Sequence, residues 1–158
     1  MHYGLAAMAQ RGFCPKTIID AGAYEGNWSR LAKRIWPSCK LIMVEPNAVN
    51  NHRLLDTAKD VEALLLCELL GAEDGREVPF NVMASGSSIM SERSPLARNV
   101  EVRRLRTLDS IVKNIEPPVF LKIDAQGYEL QILMGASRML ADVEAVLLEI
   151  AVIEINEG

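Results

Sequence analysis

A short apolar segment that leads through a glycine turn into an amphipathic helix constrains this chain more than any other feature. Residues 16–20 contain three consecutive β-branched side chains, which are typical of a buried strand. The turn that follows carries Gly22 and Gly26, and apolar residues then recur at helical spacing from Trp28 to Ile35. The order of strand, turn and helix predicts the first unit of an α/β fold.

The same alternation recurs along the chain. We predict further strands at residues 41–44, 61–69, 119–123 and 143–153, and helices that begin at Pro46 and cover 107–115, with Thr107 as N-cap, and 128–140. Two alternating segments, 77–83 and 100–106, predict an antiparallel, hairpin-like insertion around a serine-rich loop. The chain is therefore expected to form one α/β domain over residues 1–158, with a leader helix over about 1–15 and a doubly wound, mostly parallel sheet in the core, 16–158.

Composition and charge exclude several classes of protein. Hydrophobic residues make up 49% and charged residues 24% of the chain, which is typical of a globular domain rather than a disordered one. No apolar run approaches the ~20 residues that span a bilayer, and the first residues lack a signal-peptide pattern, so a cytoplasmic protein is expected. A net charge of -4 argues against nucleic acid as a partner, and the three cysteines show no metal-binding spacing.

An acidic residue ends the second predicted strand. Glu45 lies 19 residues beyond Gly26, and a carboxylate at this place can accept hydrogen bonds from ribose hydroxyls. Ligands of open α/β sheets bind at these strand ends, although a tight turn without a ligand is the alternative. The candidate cofactor-binding residues are Asp20, Gly22, Ala23, Tyr24, Glu25, Gly26, Glu45, Pro46 and Asn47, together with Ser87 and Ser88 on the inserted loop.

Glycine spacing discriminates between nucleoside cofactors. A dinucleotide fingerprint has glycines at i, i+2 and i+5, whereas this turn has only Gly22 and Gly26, and Asp20 would repel a pyrophosphate. S-adenosylmethionine carries a sulfonium and an ammonium and no phosphate, so an acidic residue at the strand end suits it. We therefore expect S-adenosylmethionine as cofactor, with a nicotinamide-dependent oxidoreductase of the same fold class as an alternative.

A second strand-end motif covers residues 122–129. Asp124 ends the strand at 119–123, which should neighbour the first strand, so its carboxylate is expected beside the cofactor as a catalytic base. A helix cap is the alternative role. Glu149, at the next strand end, is a reserve base or a solvated charge. Candidate substrate-binding residues are Gln126, Gly127 and Glu129, of which Glu129 could instead complement the helix dipole.

With these motifs the sequence resembles the FkbM family of methyltransferases. The matching segments are IIDAGAYEG (18–26), VEPN (44–47), GSS (86–88), RTLD (106–109), LKIDAQGYE (121–129), LMGA (133–136) and LE (148–149). The resemblance implies a Rossmann-like class I methyltransferase that uses S-adenosylmethionine. It also implies methyl transfer to a hydroxyl of a small-molecule acceptor, such as a sugar or a natural product.

Methyltransferases of this class usually continue beyond their fifth core strand with a further helix and an antiparallel strand pair. This chain stops at Gly158, so we expect the final strand pair to be missing and the chain to be truncated. An apolar edge would then be exposed near residues 146–153, and a homo-oligomer through that edge is expected as one outcome. A non-catalytic S-adenosylmethionine-binding module is the corresponding alternative to an enzyme.

Overall fold

The computed structural model describes residues 2–47, 51–82, 89, 91–92, 99–150 and 156–157. The helices are α1 (His2–Gln10), α2 (Asn27–Ile35), α3 (Asn51–Asp60), α4 (Leu108–Ile111) and α5 (Glu129–Met134), with a 3-10 helix at Met139–Asp142. The strands are β1 (Thr17–Ala21), β2 (Lys40–Val44), β3 (Leu64–Leu66), β4 (Leu69–Leu70), β5 (Glu77–Val82), β6 (Ser91–Glu92), β7 (Asn99–Arg106), β8 (Val119–Ile123), β9 (Val143–Leu148) and β10 (Asn156–Glu157).

A five-stranded parallel sheet in the order β3-β2-β1-β8-β9 forms the centre of the fold. Strand β1 lies in the middle and is buried along its whole length. The chain first builds the sheet outward on one side of β1 and later continues on the other side, which is a doubly wound, Rossmann-like topology. This architecture confirms the fold class, including the expected pairing of the first strand with the strand at 119–123.

Two apolar clusters cover the two faces of the sheet. Successive residues of β1 point to opposite sides, so Ile18 belongs to one cluster and Ile19 to the other. The first cluster includes Phe120, whose ring meets those of Phe13, Trp28 and Trp36 edge to face at centroid distances of 5.6 to 5.7 Å. Both faces are therefore closed, and the strand ends are the part of the sheet that is free to form a site.

A smaller sheet has the order β4-β7-β5, and β5 and β7 are antiparallel as expected for the insertion. The third strand predicted at 61–69 is divided, because β3 pairs with β2 whereas β4 pairs with β7. The chain thus changes sheets between Leu66 and Leu69. Most of the predicted serine-rich loop, with Ser87 and Ser88, lies outside the described residues.

Two predicted helices are shorter than their apolar periodicity indicates. Helix α4 ends at Ile111 because Val112 is already extended, although Thr107 is the N-cap and its side chain accepts a hydrogen bond from Ser110 N. Helix α5 ends before Gly135, and the Asp109 carboxylate accepts hydrogen bonds from the N–H groups of the residues that begin the 3-10 helix. The chain that follows α5 is thus held by long-range hydrogen bonds to Asp109.

Strand β9 forms one edge of the main sheet. Val146 and Ile150 expose 44% and 67% of their surface there. Self-association through this edge stays a prediction. In the part of the chain that the structure describes, no helix combines the length and the apolarity needed to cross a membrane.

Gly135 provides a test of the packing between α5 and the small sheet. A Cβ at Gly135 would overlap the carbonyl oxygen of Gly71, which directly follows β4. We expect Gly135→Ala to lower the free energy of unfolding by about 1–3 kcal/mol, as overpacking does. The control is Gly4→Ala, because a Cβ at Gly4 meets nothing within 4 Å. Urea unfolding curves that coincide for Gly135→Ala and wild type would contradict the packing.

Candidate functional site

A cavity lies where β1, β2 and β8 end, at the carboxyl edge of the main sheet. Its walls also include residues that follow β3, residues of β4 and β5, and the start of α5. The lining residues are Gly22, Val44, Glu45, Pro46, Glu68, Leu69, Leu70, Phe80, Ile89, Asp124, Ala125, Tyr128 and Ile132. This is the place where open α/β sheets bind ligands, at the point where the strand order reverses.

The turn after β1 is held by hydrogen bonds within the protein. The N–H groups of Gly22 and Ala23 donate to Val44 O at 2.9 and 3.2 Å, and Gly26 N donates to Ala23 O at 2.7 Å. Gly22, Tyr24 and Gly26 all have positive φ, at 79°, 52° and 79°. The N–H groups of Gly22, Ala23 and Gly26 are therefore engaged by carbonyl oxygens of the protein itself.

The two glycines of the turn are required by neighbouring parts of the protein. A Cβ at Gly22 would overlap the backbone carbonyl of Asp124, so the turns after β1 and β8 are in direct contact. A Cβ at Gly26 would collide with the side chains of Thr57 and Met43. Gly22 does line the cavity, but the close approach that demands a glycine is the one to Asp124.

Glu45 links the turn after β1 to the end of β2. Its Oε2 accepts a hydrogen bond from Tyr24 N and its Oε1 accepts one from Asn47 N, each at 2.8 Å. Burial raises the pKa of the Glu45 carboxyl, although the two N–H donors act in the opposite direction. An ionised carboxylate has about four acceptor positions, so two stay available toward the cavity that Glu45 lines.

Lys122 is a buried residue of this site to which sequence reasoning gave no role. Its ammonium lies 2.9 Å from Asp20 Oδ1 and 3.5 Å from Asp124 Oδ2, and it donates a hydrogen bond to Gly22 O at 2.8 Å. The ammonium also lies 5.9 Å from the centroid of the Trp28 ring. A lysine within the otherwise apolar strand 119–123 was the available signal, because a buried ammonium needs a counter-charge.

Asp20 is fully buried in this arrangement. Ser29 Oγ donates to Asp20 Oδ2 at 2.6 Å, and Lys122 occupies the other side of the carboxylate. Burial raises the pKa of Asp20, and the nearby Lys122 lowers it by a smaller amount. The cation that meets Asp20 is therefore a side chain of the protein, where we had expected the cation of a ligand.

Asp124 lies at the cavity with about a quarter of its side chain exposed. Gln126 Nε2 donates to Asp124 Oδ1 at 3.0 Å. Asp124 is not the N-cap of α5, which is Tyr128, and the Gly127 N–H that Asp124 could have capped donates to Oε1 of the buried Glu129, as does the N–H of Ala125. The Asp124 carboxylate thus faces the site while Glu129 holds the turn.

The remaining candidates lie at different distances from the cavity. Glu25 forms an ion pair with Arg53 of α3, and its carbonyl accepts a hydrogen bond from Thr57 Oγ1. Glu149 is exposed and borders a separate cleft beside Lys122. Pro46 lines the cavity, whereas Ser87 and Ser88 lie outside the described residues. No group of three or more potential metal ligands occurs in the ranges that the structure covers.

Arg103 joins the small sheet to the end of β2. Its guanidinium lies 5.7 Å from the centroid of the Phe80 ring and donates to Pro46 O at 2.8 Å. Sequence reasoning gave no role to Glu68, Tyr128 or Phe80, and the place of Phe80 in the cavity wall depends on how the inserted strands pack. The inserted strands therefore supply one wall of the site.

The buried carboxyl of Glu45 makes a pH test possible. Its pKa is raised in the folded state, so the folded protein binds more protons than the unfolded chain, and stability falls as pH rises above about 4.3. Glu45→Gln should remove this contribution, so the difference in unfolding free energy between variant and wild type should change between pH 4 and pH 7. If urea titrations give the same difference in unfolding free energy between Glu45→Gln and wild type at pH 4 and at pH 7, the raised pKa of Glu45 is contradicted.

No curated protein and no solved structure matches the chain significantly. A family model described as methyltransferase FkbM domain matches residues 20–158, a range that begins at Asp20 and includes Glu45, Lys122 and Asp124. Because this match covers most of the chain, the protein belongs to the FkbM methyltransferase family.

Proposed function

We propose that this protein uses S-adenosylmethionine to methylate a hydroxyl oxygen of a small-molecule acceptor, such as a sugar or a natural product. One observation carries the proposal: the carboxylates of Glu45 and Asp124 border the same cavity, at the ends of β2 and β8. Family membership supports methyl transfer as the reaction. The acceptor class rests on the resemblance to that family, and the cofactor rests on the resemblance together with the charge of the cavity.

The charge of the cavity favours a cationic nucleoside over a dinucleotide. Among the described lining residues, the charged ones are Glu45, Glu68 and Asp124, which are all acidic. An acidic wall repels a pyrophosphate and attracts a sulfonium or an ammonium. The lining is otherwise mostly apolar, including Leu69 and Ile89, which suits a flat base, and Glu45 has acceptor positions left for ribose hydroxyls.

S-adenosylmethionine supplies an electrophilic methyl group on a positively charged sulfur. The protein has to hold the acceptor hydroxyl in line with that group and to receive the proton that the hydroxyl loses. Asp124 is suited to both tasks, because its carboxylate is partly exposed to the cavity and is oriented by Gln126 and Lys122. The surrounding apolar residues, including Ile132, limit the access of water.

Cofactor binding tests the role of Glu45. We expect Glu45→Gln to weaken binding of S-adenosylhomocysteine at least about tenfold, because charged hydrogen bonds contribute ~1.5–3 kcal/mol each and 1.4 kcal/mol is one decade. Isothermal titration calorimetry measures the affinity. The matched control is Glu144→Gln, which neutralises an exposed carboxylate of β9 that lines a different surface pocket. Unchanged affinity of Glu45→Gln, or tight binding of reduced nicotinamide dinucleotide instead, would overturn this part of the proposal.

Turnover tests the role of Asp124. With a panel of monosaccharides and polyols as acceptors, we expect Asp124→Asn to slow the release of S-adenosylhomocysteine about a hundredfold, since general bases contribute 10²- to 10⁴-fold. The melting temperature and the affinity for S-adenosylhomocysteine should stay near the wild-type values, because the amide keeps the shape of the side chain. A variant that turns over like wild type would remove Asp124 from the reaction. Binding without turnover in wild type would favour the non-catalytic alternative.

A further inference from the structure

We propose that Asp20 is a positioning residue whose buried charge offsets that of Lys122, so that the Asp124 carboxylate keeps its negative charge and its capacity to accept a proton. This inference rests on the proposed function in one respect, the use of Asp124 as the base. Asp20 itself touches neither cofactor nor acceptor in this scheme, because its side chain is fully buried.

Two carboxylates, Asp20 and Asp124, share the ammonium of Lys122 unequally. The ammonium of Lys122 lies 2.9 Å from Asp20 Oδ1 but 3.5 Å from Asp124 Oδ2. Asp20 has no exposed surface, whereas about a quarter of the Asp124 side chain is exposed. The closer and drier pair interacts more strongly, so the charge of Lys122 is mainly offset by Asp20.

The backbone fixes the positions of Asp20, Lys122 and Asp124. Asp20 and Lys122 are direct partners in the parallel pairing of β1 and β8. Asp124 follows two residues after Lys122, and its N–H donates to Ala21 O at 2.9 Å. Lys122 also donates to Gly22 O, and its ammonium lies near the Trp28 ring. The ammonium is thus confined between the two carboxylates.

The charges of Asp20 and Lys122 together affect how readily the Asp124 carboxylate accepts a proton. A cation within about 4 to 6 Å of a carboxylate stabilises its ionised form and weakens it as a proton acceptor, and a second anion does the reverse. Lys122 acting alone on Asp124 would therefore produce a poor base. The Lys122 ammonium at 2.9 Å and the Ser29 hydroxyl stabilise the ionised form of Asp20 against the effect of its burial. With Asp20 ionised, the three groups carry one net negative charge, and Asp124 is the exposed member.

Other ionisable groups surround Asp124 from the neighbouring elements. Those at the cavity, in the turn before α5 and at the end of β9 are Glu45, Glu68, Tyr128, Glu129 and Glu149. They stay the same in all variants below. Differences between the variants therefore report on Asp20 and Lys122.

The experiment follows the titration of Asp124 directly in the cofactor-free protein. Carbon-13 NMR of labelled aspartate side chains gives the midpoint, and the spectrum of Asp124→Asn assigns the signal. We expect Asp20→Asn to lower the midpoint by about half a pH unit and Lys122→Met to raise it by about one unit. The double variant should fall between the two single variants, because both opposing charges are gone.

The matched control is Ser29→Ala, which removes a hydrogen bond to Asp20 without changing its charge. Its midpoint should stay close to that of wild type. Should Lys122→Met fail to fold, Asp20→Asn alone still decides, because the amide can keep the hydrogen bond from Ser29. An unchanged or raised midpoint in Asp20→Asn overturns the inference, since a merely structural role predicts no downward shift.

Turnover separates this inference from the proposed function. If Asp124 is the base, the acidic limb of the rate profile should move in the same order as the NMR midpoints, to lower pH in Asp20→Asn. If the midpoints shift as expected but the protein transfers no methyl group, the inference that Asp20 offsets the charge of Lys122 is supported. The proposed function is then refuted. If the midpoints do not shift, the inference about Asp20 and Lys122 is refuted, whether or not the protein transfers a methyl group.

Discussion

The ammonium of Lys122 between β1 and β8 is the interaction on which the candidate site depends. A buried charge is costly unless it is paired, and Lys122 meets this requirement with Asp20, the carbonyl of Gly22 and Asp124. Each of these partners belongs to one of the two turns or to the strand that leads into it. The turns therefore form one unit, in which a displacement of either would leave a buried charge without its partner.

Two glutamates give this unit its rigidity. Glu45 accepts two backbone N–H groups and thereby fixes the turn after β1, and Glu129 does the same for the turn after β8. Both turns contain residues with positive φ, which a free chain populates less often. Side-chain acceptors thus hold backbone conformations that the turns would not keep by themselves, and the cavity is formed before any ligand arrives.

The order of elements and the location of the site could be predicted from the sequence because both follow from local signals. Apolar periodicity gives the alternation of strands and helices, and the strand-end rule brings Gly22, Glu45 and Asp124 to one edge. The contact from Lys122 to Gly22 joins residues 100 positions apart, and no local pattern encodes such a partner. The ends of α4 and α5 differ from the prediction because the apolar periodicity continues beyond Ile111 and Met134, where the chain is no longer α-helical.

Among the described strands, those of the small sheet border the cavity without pairing with the main sheet. Strands β4, β5 and β7 form a sheet of their own, and Arg103 links it to the end of β2 through Pro46. Phe80 is buried in the core of the small sheet, whereas Asp20 and Lys122 are held by the pairing of β1 and β8. The cavity thus lies between two sheets, and the hydrogen-bond ladder of the main sheet does not include the strands of the small one.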